Sequence, residues 1–227
     1  MSTKNSKNYS NESVKEYYHS TGLYDSIIYK KNKTNQNLLK EEIIESLLLK
    51  NKKLSNKVTG TNKKIILSNK NYKSKIMVLG DMPSQKDIDN NELFSDDSGE
   101  LLTKMLGAIS IDSSQVYLAN IIPFYLTKEE GKNIKKYNSL LRKIVHEHIS
   151  AINPETILLL GSFALQTLFG EEYSIAKNRG QWLSYSAANN SINIIPSFHP
   201  TFLLKQPSQK KKSWEDLQEL QKKLNNA

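Results

Sequence analysis

Cysteine is absent from this chain of 227 residues. Its absence excludes disulfide bonds, catalysis by a thiol, zinc sites built on cysteine and iron–sulfur clusters held by thiolates. We therefore expect no cofactor of these kinds and no metal site.

Long apolar stretches are also missing. No run of residues is apolar for the length that crosses a bilayer. The first ten residues, Met1–Ser10, lack the apolar centre of a signal peptide. These two absences predict a soluble intracellular protein that acts in the cytoplasm and binds no membrane.

Acidic residues are fewer than basic ones. The chain has 32 Lys and Arg against 23 Asp and Glu, which gives a formal net charge of +9 and a pI of about 9.4. Such a balance favours an anionic partner such as nucleic acid, although it also serves solubility alone. Charge by itself leaves the two interpretations equally open.

Apolar residues are scarce in the first third of the chain, which is rich in Asn, Lys and Ser. We interpret 1–35 as a polar, partly disordered extension and 36–227 as one domain. Glu12–Tyr18 and Leu38–Leu49 have helical spacing of apolar residues. The Lys- and Asn-rich stretch Asn51–Tyr72 predicts a weakly structured connection with a short strand at Lys64–Leu67.

From Lys75 onward, short apolar runs alternate with helical patterns, as in βαβ units. This predicts an α/β fold, a three-layer α/β/α sandwich around a central, mostly parallel, four-stranded sheet. Ser98 and Ser162 are the expected N-caps of two helices. The predicted strands are Ile76–Leu79, Val116–Ala119, Thr156–Leu160 and Ile192–Ile195, and the predicted helices are Gly99–Ile109, Ile134–Ile152, Ser162–Phe169 and Trp214–Leu224.

Three chemically capable side chains follow strands of this predicted sheet. Asp81 follows the first strand after Gly80, Asn120 follows the second, and His199 follows the last. Each alone is most simply a cap, a turn residue or a core histidine. Because ligands of parallel sheets bind at the carboxyl ends of the strands, we expect all three to share one pocket.

The residues around these positions resemble the uracil-DNA glycosylase superfamily, and within it the family 4 type. The resemblance rests on Gly80–Ser84, on Leu93–Asp96 leading into Ser98–Leu102, on Tyr117–Asn120 and on the His-Pro-Thr-Phe-Leu-Leu segment His199–Leu204. It runs from about Lys75 to the end of the chain, with a weaker similarity over residues 14–28. Arg179–Trp182 and Trp214–Leu217 also look like segments of that family.

The resemblance implies an enzyme that flips uracil out of DNA and hydrolyses its N-glycosidic bond. Asp81 would then act near the sugar, alone or through a water, and His199 near the departing base. Phe94 would stack on the base and Asn120 would read its edge. The remaining implied contacts are Gly80 and Met82 with the base, and Pro200, Leu203, Leu204, Lys205 and Lys210 with DNA, where Leu203 or Leu204 would fill the gap left by the flipped base.

This sequence departs from the family pattern at several points. Asp81 and Ser84 stand where Glu and Gly are usual, and Asp96 and Asp97 add negative charge near the expected pocket. Family 4 proteins commonly hold an iron–sulfur cluster on four cysteines. Because this chain has no cysteine, we expect no cluster here. The main expectation is a monomeric enzyme acting on uracil-containing DNA, and the alternative is a weakly active or inactive relative that binds nucleic acid or protein.

Overall fold

The computed structural model describes residues 33–187 and 190–226. The expected helix Glu12–Tyr18 and most of the expected extension 1–35 lie outside the described residues. The account below concerns the described part of the chain.

The centre of the fold is a five-stranded sheet. Its strands are β1 (Ile76–Gly80), β2 (Tyr117–Asn120), β3 (Thr156–Leu160), β4 (Leu183–Ala187) and β5 (Asn190–Ser197), in the spatial order β2-β1-β3-β5-β4. Strands β2, β1, β3 and β5 run parallel to one another, and β4 pairs antiparallel with β5 at the edge of the sheet. The four expected strands are present, but the expected strand count was wrong.

Strand β4 escaped prediction because it is an edge strand with a mixed sequence. Its residues Leu-Ser-Tyr-Ser-Ala alternate between partly buried and exposed until the buried Ala187. Only one side of such a strand faces the core, so it has no continuous apolar run. Its antiparallel pairing with β5 is therefore not visible as a βαβ pattern.

Helices cover both faces of this sheet. The first, α1 (Lys33–Thr59), extends ten residues beyond the predicted end at Leu49. The expected strand at Lys64–Leu67 does not form, and only Ser68 makes an isolated bridge, to Ala119. The other helices are α2 (Gln85–Asn90), α3 (Asp97–Ala108), α4 (Lys128–Gly131), α5 (Asn138–Ile152), α6 (Ser162–Phe169), α7 (Ile175–Asn178), α8 (Pro200–Lys205) and α9 (Lys210–Asn225), with short 3₁₀ turns at Ser113–Gln115, Ile134–Tyr137 and Pro207–Gln209.

The extension of α1 has a packing cause. Leu47, Leu54 and Val58 recur along one face of the helix, and all three are buried in the core. The Lys and Asn residues between them hide this stripe in the average composition. Because helix stability in proteins comes mainly from burying such a stripe, α1 continues through a segment that looks weakly structured. No helix in the described ranges is long and apolar enough to cross a membrane.

Successive residues of the strands pack into two separate hydrophobic cores, one on each face of the sheet. Met77 and Leu79 of β1 point to the side covered by α1, α5 and α6, while Val78 points to the side covered by α3 and α9. This alternation follows from the two-residue repeat of a strand. The described residues therefore form three layers, helix, sheet and helix.

Buried polar residues join β2 to α5. The side chains of Tyr117 and His148 are both buried, and the Tyr117 hydroxyl lies 2.7 Å from His148 Nε2. Burial lowers the pKa of His148 to about 4, so this imidazole is neutral near pH 7. His148 is a structural residue, and His146 pairs instead with the hydroxyl of Tyr185 at 3.1 Å.

Replacing Tyr117 by Phe should leave His148 Nε2 buried without a partner. We expect Tyr117→Phe to lower the free energy of unfolding by about 1–3 kcal/mol, the usual cost of an unsatisfied buried polar group. Urea denaturation measures this change. Tyr137→Phe is the control, because the Tyr137 hydroxyl donates to Lys57 O in an exposed hydrogen bond. Equal losses of unfolding free energy in the two variants would contradict the structural role of the buried hydrogen bond between Tyr117 and His148.

Candidate active site

The carboxyl ends of the parallel strands meet at one edge of the sheet. Gly80 at the end of β1 is in register with Asn120 at the end of β2, and Leu160 of β3 is in register with Ser197 of β5. The loop after β5 leads directly to His199. The chain thus brings the ends of four parallel strands to the edge at which parallel sheets bind ligands.

Gly80 is the point around which the candidate site is built. A Cβ atom added at Gly80 would lie 2.5 Å from Asn120 Oδ1, 2.9 Å from Phe94 Cζ and 3.4 Å from His199 Nε2. These distances show that the three side chains surround the Gly80 Cα. A larger residue at this position would fill the space between them.

Phe94 is held over this space by an unusual backbone. Its φ angle is +56°, in the left-handed region that non-glycine residues seldom adopt. Gly99 makes this possible, because a Cβ at Gly99 would lie 1.6 Å from the carbonyl oxygen of Phe94. The Phe94 and His199 rings are stacked at an interplanar angle of 27° with centroids 6.2 Å apart.

Asp87 anchors the loop that carries Phe94. The N–H and hydroxyl of Ser95 donate to Asp87 Oδ1 at 2.7 and 3.0 Å, and the N–H of Ser84 donates to Asp87 Oδ2 at 2.9 Å. The Asp87 side chain is buried and bridges two loops beside the site. Sequence reasoning missed it, although the spacing Ser84-x-x-Asp87 is that of a capping box.

Asp96, and not Ser98, caps helix α3. Its Oδ1 accepts the N–H groups of Ser98 and Gly99 at 3.0 and 3.3 Å. Burial works to raise the pKa of this carboxyl, but the hydrogen bonds from Ser98 and Gly99 outweigh it, so the pKa of Asp96 is lowered. The negative charge expected near the pocket is therefore present, and it is engaged in a helix cap.

The His199 imidazole has a defined tautomer. As the N-cap of α8 it accepts the N–H of Thr201 on Nδ1 at 3.2 Å, which leaves the proton of the neutral ring on Nε2. Burial lowers the pKa of His199 to about 4, against the attraction of Asp96 and Asp87. At neutral pH the ring thus presents an N–H donor to the site.

Two polar atoms of the site lack partners within the described structure. Asn120 Oδ1 and His199 Nε2 are both buried and make no hydrogen bond there. One is an acceptor and the other a donor, and both lie beside Gly80. Because buried polar groups are nearly always paired, this couple fits a ligand that offers one donor and one acceptor.

The carboxylate of Asp81 is held against the turn that begins α6. Its Oδ1 accepts the N–H of Ala164 at 2.9 Å in the first turn of α6, where Ser162 was expected to act as the cap. A Cβ at Gly161 would lie 2.7 Å from Asp81 Oδ2. Burial raises the pKa of Asp81 to about 7 although the Ala164 hydrogen bond lowers it.

The rim of the site exposes several large apolar side chains. Met82 follows Asp81, and Phe202 and Leu204 follow His199, and each of the three is about 40% exposed. Leu203, which the resemblance offered as a DNA contact, is buried in the core at 1% exposure, and Pro200 is buried at the start of α8. Lys205, the last residue of α8, and Lys210, the first residue of α9, are both exposed. Of the two leucines, Leu204 is therefore the one accessible to a ligand.

Metal ligands are not assembled in the part of the chain that the structure describes. No three His, Cys, Asp or Glu side chains there are grouped to hold an ion. A four-cysteine cluster finds no ligands in this sequence, which has no cysteine. The groups that make up the described site are the Phe94 ring, the Asn120 amide, the His199 imidazole and the Asp81 carboxylate.

The family model of the uracil DNA glycosylase superfamily matches residues 68–218, more than half of the chain. The protein belongs to this superfamily. The matched segment contains the whole sheet and every residue named above in the site.

Curated relatives carry the name type-4 uracil-DNA glycosylase. The chain is 28% identical over 149 residues to the protein of that name from Thermotoga maritima, covering 63% of this chain and 73% of the relative. It is 26% identical over 141 residues to the one from Archaeoglobus fulgidus, covering 60% and 70%. For the one from Saccharolobus solfataricus the identity is 26% over 163 residues, covering 68% and 73%.

A side chain at Gly99 should disrupt the loop that carries Phe94. We expect Gly99→Ala to lower the free energy of unfolding by about 3 kcal/mol or more, because the new methyl group meets backbone atoms that cannot rotate away. Gly107→Ala in the same helix is the matched control, since its Cβ would meet nothing within 4 Å. That variant should be neutral or more stable by up to about 1 kcal/mol. Denaturant titration compares the two, and similar values would contradict the role of Gly99.

Proposed function

We propose that this protein is a uracil-DNA glycosylase that flips uracil out of DNA and hydrolyses its N-glycosidic bond. The observation that supports this most directly is the unpaired couple of Asn120 Oδ1 and His199 Nε2–H beside the Phe94 ring. Names of the relatives and membership of the superfamily support the same function. The product is DNA with an abasic site, an intermediate of base excision repair.

The couple is complementary to uracil. Asn120 Oδ1 accepts the N3–H of uracil, and His199 Nε2–H donates to a uracil carbonyl oxygen. Cytosine has an unprotonated N3, so its lone pair would face the Asn120 oxygen. The stacking face of Phe94 and these two bonds together offset the few kcal/mol needed to unstack the base.

The hydrolysis needs stabilisation at both ends of the breaking bond. A water oxygen bonds to C1′ of the deoxyribose while the C1′–N1 bond breaks and its electron pair leaves with uracil. The neutral His199 donates a hydrogen bond to the oxygen on which this charge develops. Asp81 Oδ1 is held by Ala164 N–H, and its Oδ2 accepts no hydrogen bond from the described residues. We assign this oxygen to orienting the water and receiving its proton.

DNA is held by the rim. Leu204 and Phe202 project from α8 beside His199, and an apolar side chain there fills the gap left by the flipped base. Lys205 at the end of α8 and Lys210 at the start of α9 contact phosphates. The net charge of +9 favours this approach to a polyanion.

The family 4 type is the best assignment within the superfamily, with an important difference in how the fold is stabilised. Leu54 is fully buried in the core, Leu140 packs against that core, and an ion pair between Lys50 and Glu147 joins the two helices, so these contacts support α1 and α5 in the described part of the chain. We propose a monomer that needs no iron–sulfur cluster or other cofactor and acts in the cytoplasm at the nucleoid.

Uracil excision is the first test of this function. The protein is incubated with an oligonucleotide that contains one uracil, and alkali then reveals abasic sites as strand breaks. We expect cleavage by the wild type and a loss of about 10²–10³-fold in His199→Ala, the typical effect of removing one donor to a developing anion. His146→Ala, a histidine paired with Tyr185 away from the site, should cleave normally. No cleavage by folded protein in excess over DNA would reject the enzyme and leave a nucleic-acid binding module.

The pH dependence of excision tests the role of Asp81. With a pKa of about 7, this carboxyl is about one-tenth ionised at pH 6 and about nine-tenths at pH 8. If the anion is the active form, single-turnover rates should rise about tenfold over this range. His199, with a pKa of about 4, stays neutral throughout. Asp81→Asn should be slow and independent of pH.

The same variant has a stability control. The amide oxygen of Asn can still accept the Ala164 N–H, so Asp81→Asn should fold. The raised pKa stabilises the folded wild type fully below pH 3.8, and this stabilisation is lost as pH rises through 7. Asp81→Asn should therefore gain stability relative to the wild type between pH 5 and pH 8. A wild-type rate that is flat from pH 6 to 8 would contradict the role of Asp81.

A further inference from the structure

A buried ionic cluster lies behind the segment that carries His199. Arg179 Nη2 is 2.7 Å from Asp216 Oδ1, an ion pair without hydrogen-bond geometry, and Arg179 Nε donates to Asp216 Oδ2 at 3.2 Å. The hydroxyl of Ser197 donates to the same Oδ2 at 2.6 Å. Asp216 is 1% exposed and Arg179 is 16% exposed. The cluster thus joins the turn before β4, the end of β5 and helix α9.

Arg179 also contacts the residues on both sides of this cluster. Its guanidinium lies 5.8 Å from the centre of the Phe198 ring, and that ring packs against Phe202 with centroids 4.9 Å apart. Nη2 donates to the carbonyl of Lys212 in the first turn of α9. Phe198 precedes His199 and Phe202 follows it, so the guanidinium supports the histidine through the residue before it and the helix after it.

The surrounding backbone is shaped to this cluster. A Cβ at Gly180 would lie 2.5 Å from Asp216 Oδ1, and Gly180 has a φ angle of +70°. The N–H of Gly180 donates to Pro196 O, and the N–H of Gly161 donates to Ser197 O at 3.0 Å. The second bond connects the end of β5 to the turn against which Asp81 is held. Both chemically active loops are therefore fixed to Ser197.

A buried ion pair is a poor means of gaining stability alone, because desolvation of the two ions offsets their attraction. The planar guanidinium of arginine presents its N–H donors in fixed directions, so it fixes the orientation of the groups that it binds. Here those groups belong to three elements that meet behind the His199 loop. The cluster is thus suited to hold that loop in one geometry.

We infer that Arg179, through its pair with Asp216, is a positioning residue that sets the orientation of His199 toward Gly80. This inference rests on the proposed function, in which His199 Nε2–H donates to the departing base. Arg179 itself touches neither the base nor the sugar. Its effect should therefore appear in the bond-breaking step and not in the binding of DNA.

The matched variants are Arg179→Lys, which keeps the charge but loses the planar guanidinium, Arg179→Ala, and Arg142→Lys. Arg142 is the other arginine of the chain and also donates to a backbone carbonyl, that of Thr167, at 2.7 Å. With the uracil oligonucleotide, we expect kcat to fall about 10²-fold in Arg179→Ala and less in Arg179→Lys, the scale of a misplaced catalytic group. KM should change little, and Arg142→Lys should match the wild type.

Nuclear magnetic resonance of the four histidines gives a readout independent of activity. The His199 signals, assigned by their loss in His199→Ala, should show the neutral Nε2–H form at pH 6 in the wild type and in Arg142→Lys. In the Arg179 variants His199 should titrate nearer to 6.5, because the ring loses its buried setting while Asp96 and Asp87 still favour its charged form.

A wild-type titration of His199 in both Arg179 variants would overturn the inference. Equal losses of kcat in Arg142→Lys and Arg179→Lys would also overturn it, since they would indicate a general loss of stability. If Arg179→Ala does not fold, Arg179→Lys still decides the question. If the wild type excises no uracil, the proposed function fails, and the histidine titration continues to test the positioning role alone.

Discussion

The register of the parallel strands is the constraint on which this site depends. Gly80 lies beside Asn120 because β1 and β2 are paired in parallel, and the end of β5 lies beside that of β3 for the same reason. A shift of one residue in either pair would turn the side chains to the opposite face of the sheet. The buried apolar residues of both cores oppose such a shift, so the two cores also protect the geometry of the site.

Successive residues of a strand point to opposite faces of the sheet, and this alternation places the residues of the site on both faces. Gly80 and Asn120 face the layer of α3, α8 and α9, where Phe94 and His199 also lie. Asp81 is the next residue after Gly80 and turns toward α6, where Ala164 donates to it. Burial then acts on the two titrating groups in opposite directions. It lowers the pKa of His199 and raises that of Asp81, since it penalises a cation in one and an anion in the other.

Residues outside the site hold the active groups in place. His199 is held through the cap of α8, Phe94 through Asp87 and Gly99, and the β5 loop through the cluster of Arg179 and Asp216. The site is thus preorganised by its surroundings, as catalysis by fixed dipoles requires. In a chain without cysteine, packing, hydrogen bonds and the ion pair of Arg179 with Asp216 provide this rigidity in the described residues.

Much of the fold could be predicted from local patterns. The four parallel strands coincide with short, mostly apolar runs, and Ser162–Phe169 was predicted with its observed bounds, because these signals reside in neighbouring residues. Edge strand β4 and the second half of α1 could not be predicted in this way. Their stability depends on burying one side against partners that are distant in the chain.

The candidate site could likewise be predicted only in part from local sequence. The sequence by itself determined which residue types follow the strands, and the rule that ligands bind at the carboxyl ends of parallel strands predicted that Asp81, Asn120 and His199 share an edge. Only the tertiary structure decided which atoms face the ligand. It set the His199 tautomer through Thr201, turned Asp81 toward α6, buried Leu203 while exposing Leu204, and placed Arg179 behind the histidine. The physical reason is that orientation, burial and pKa depend on groups brought together across long separations in the chain, which no local pattern contains.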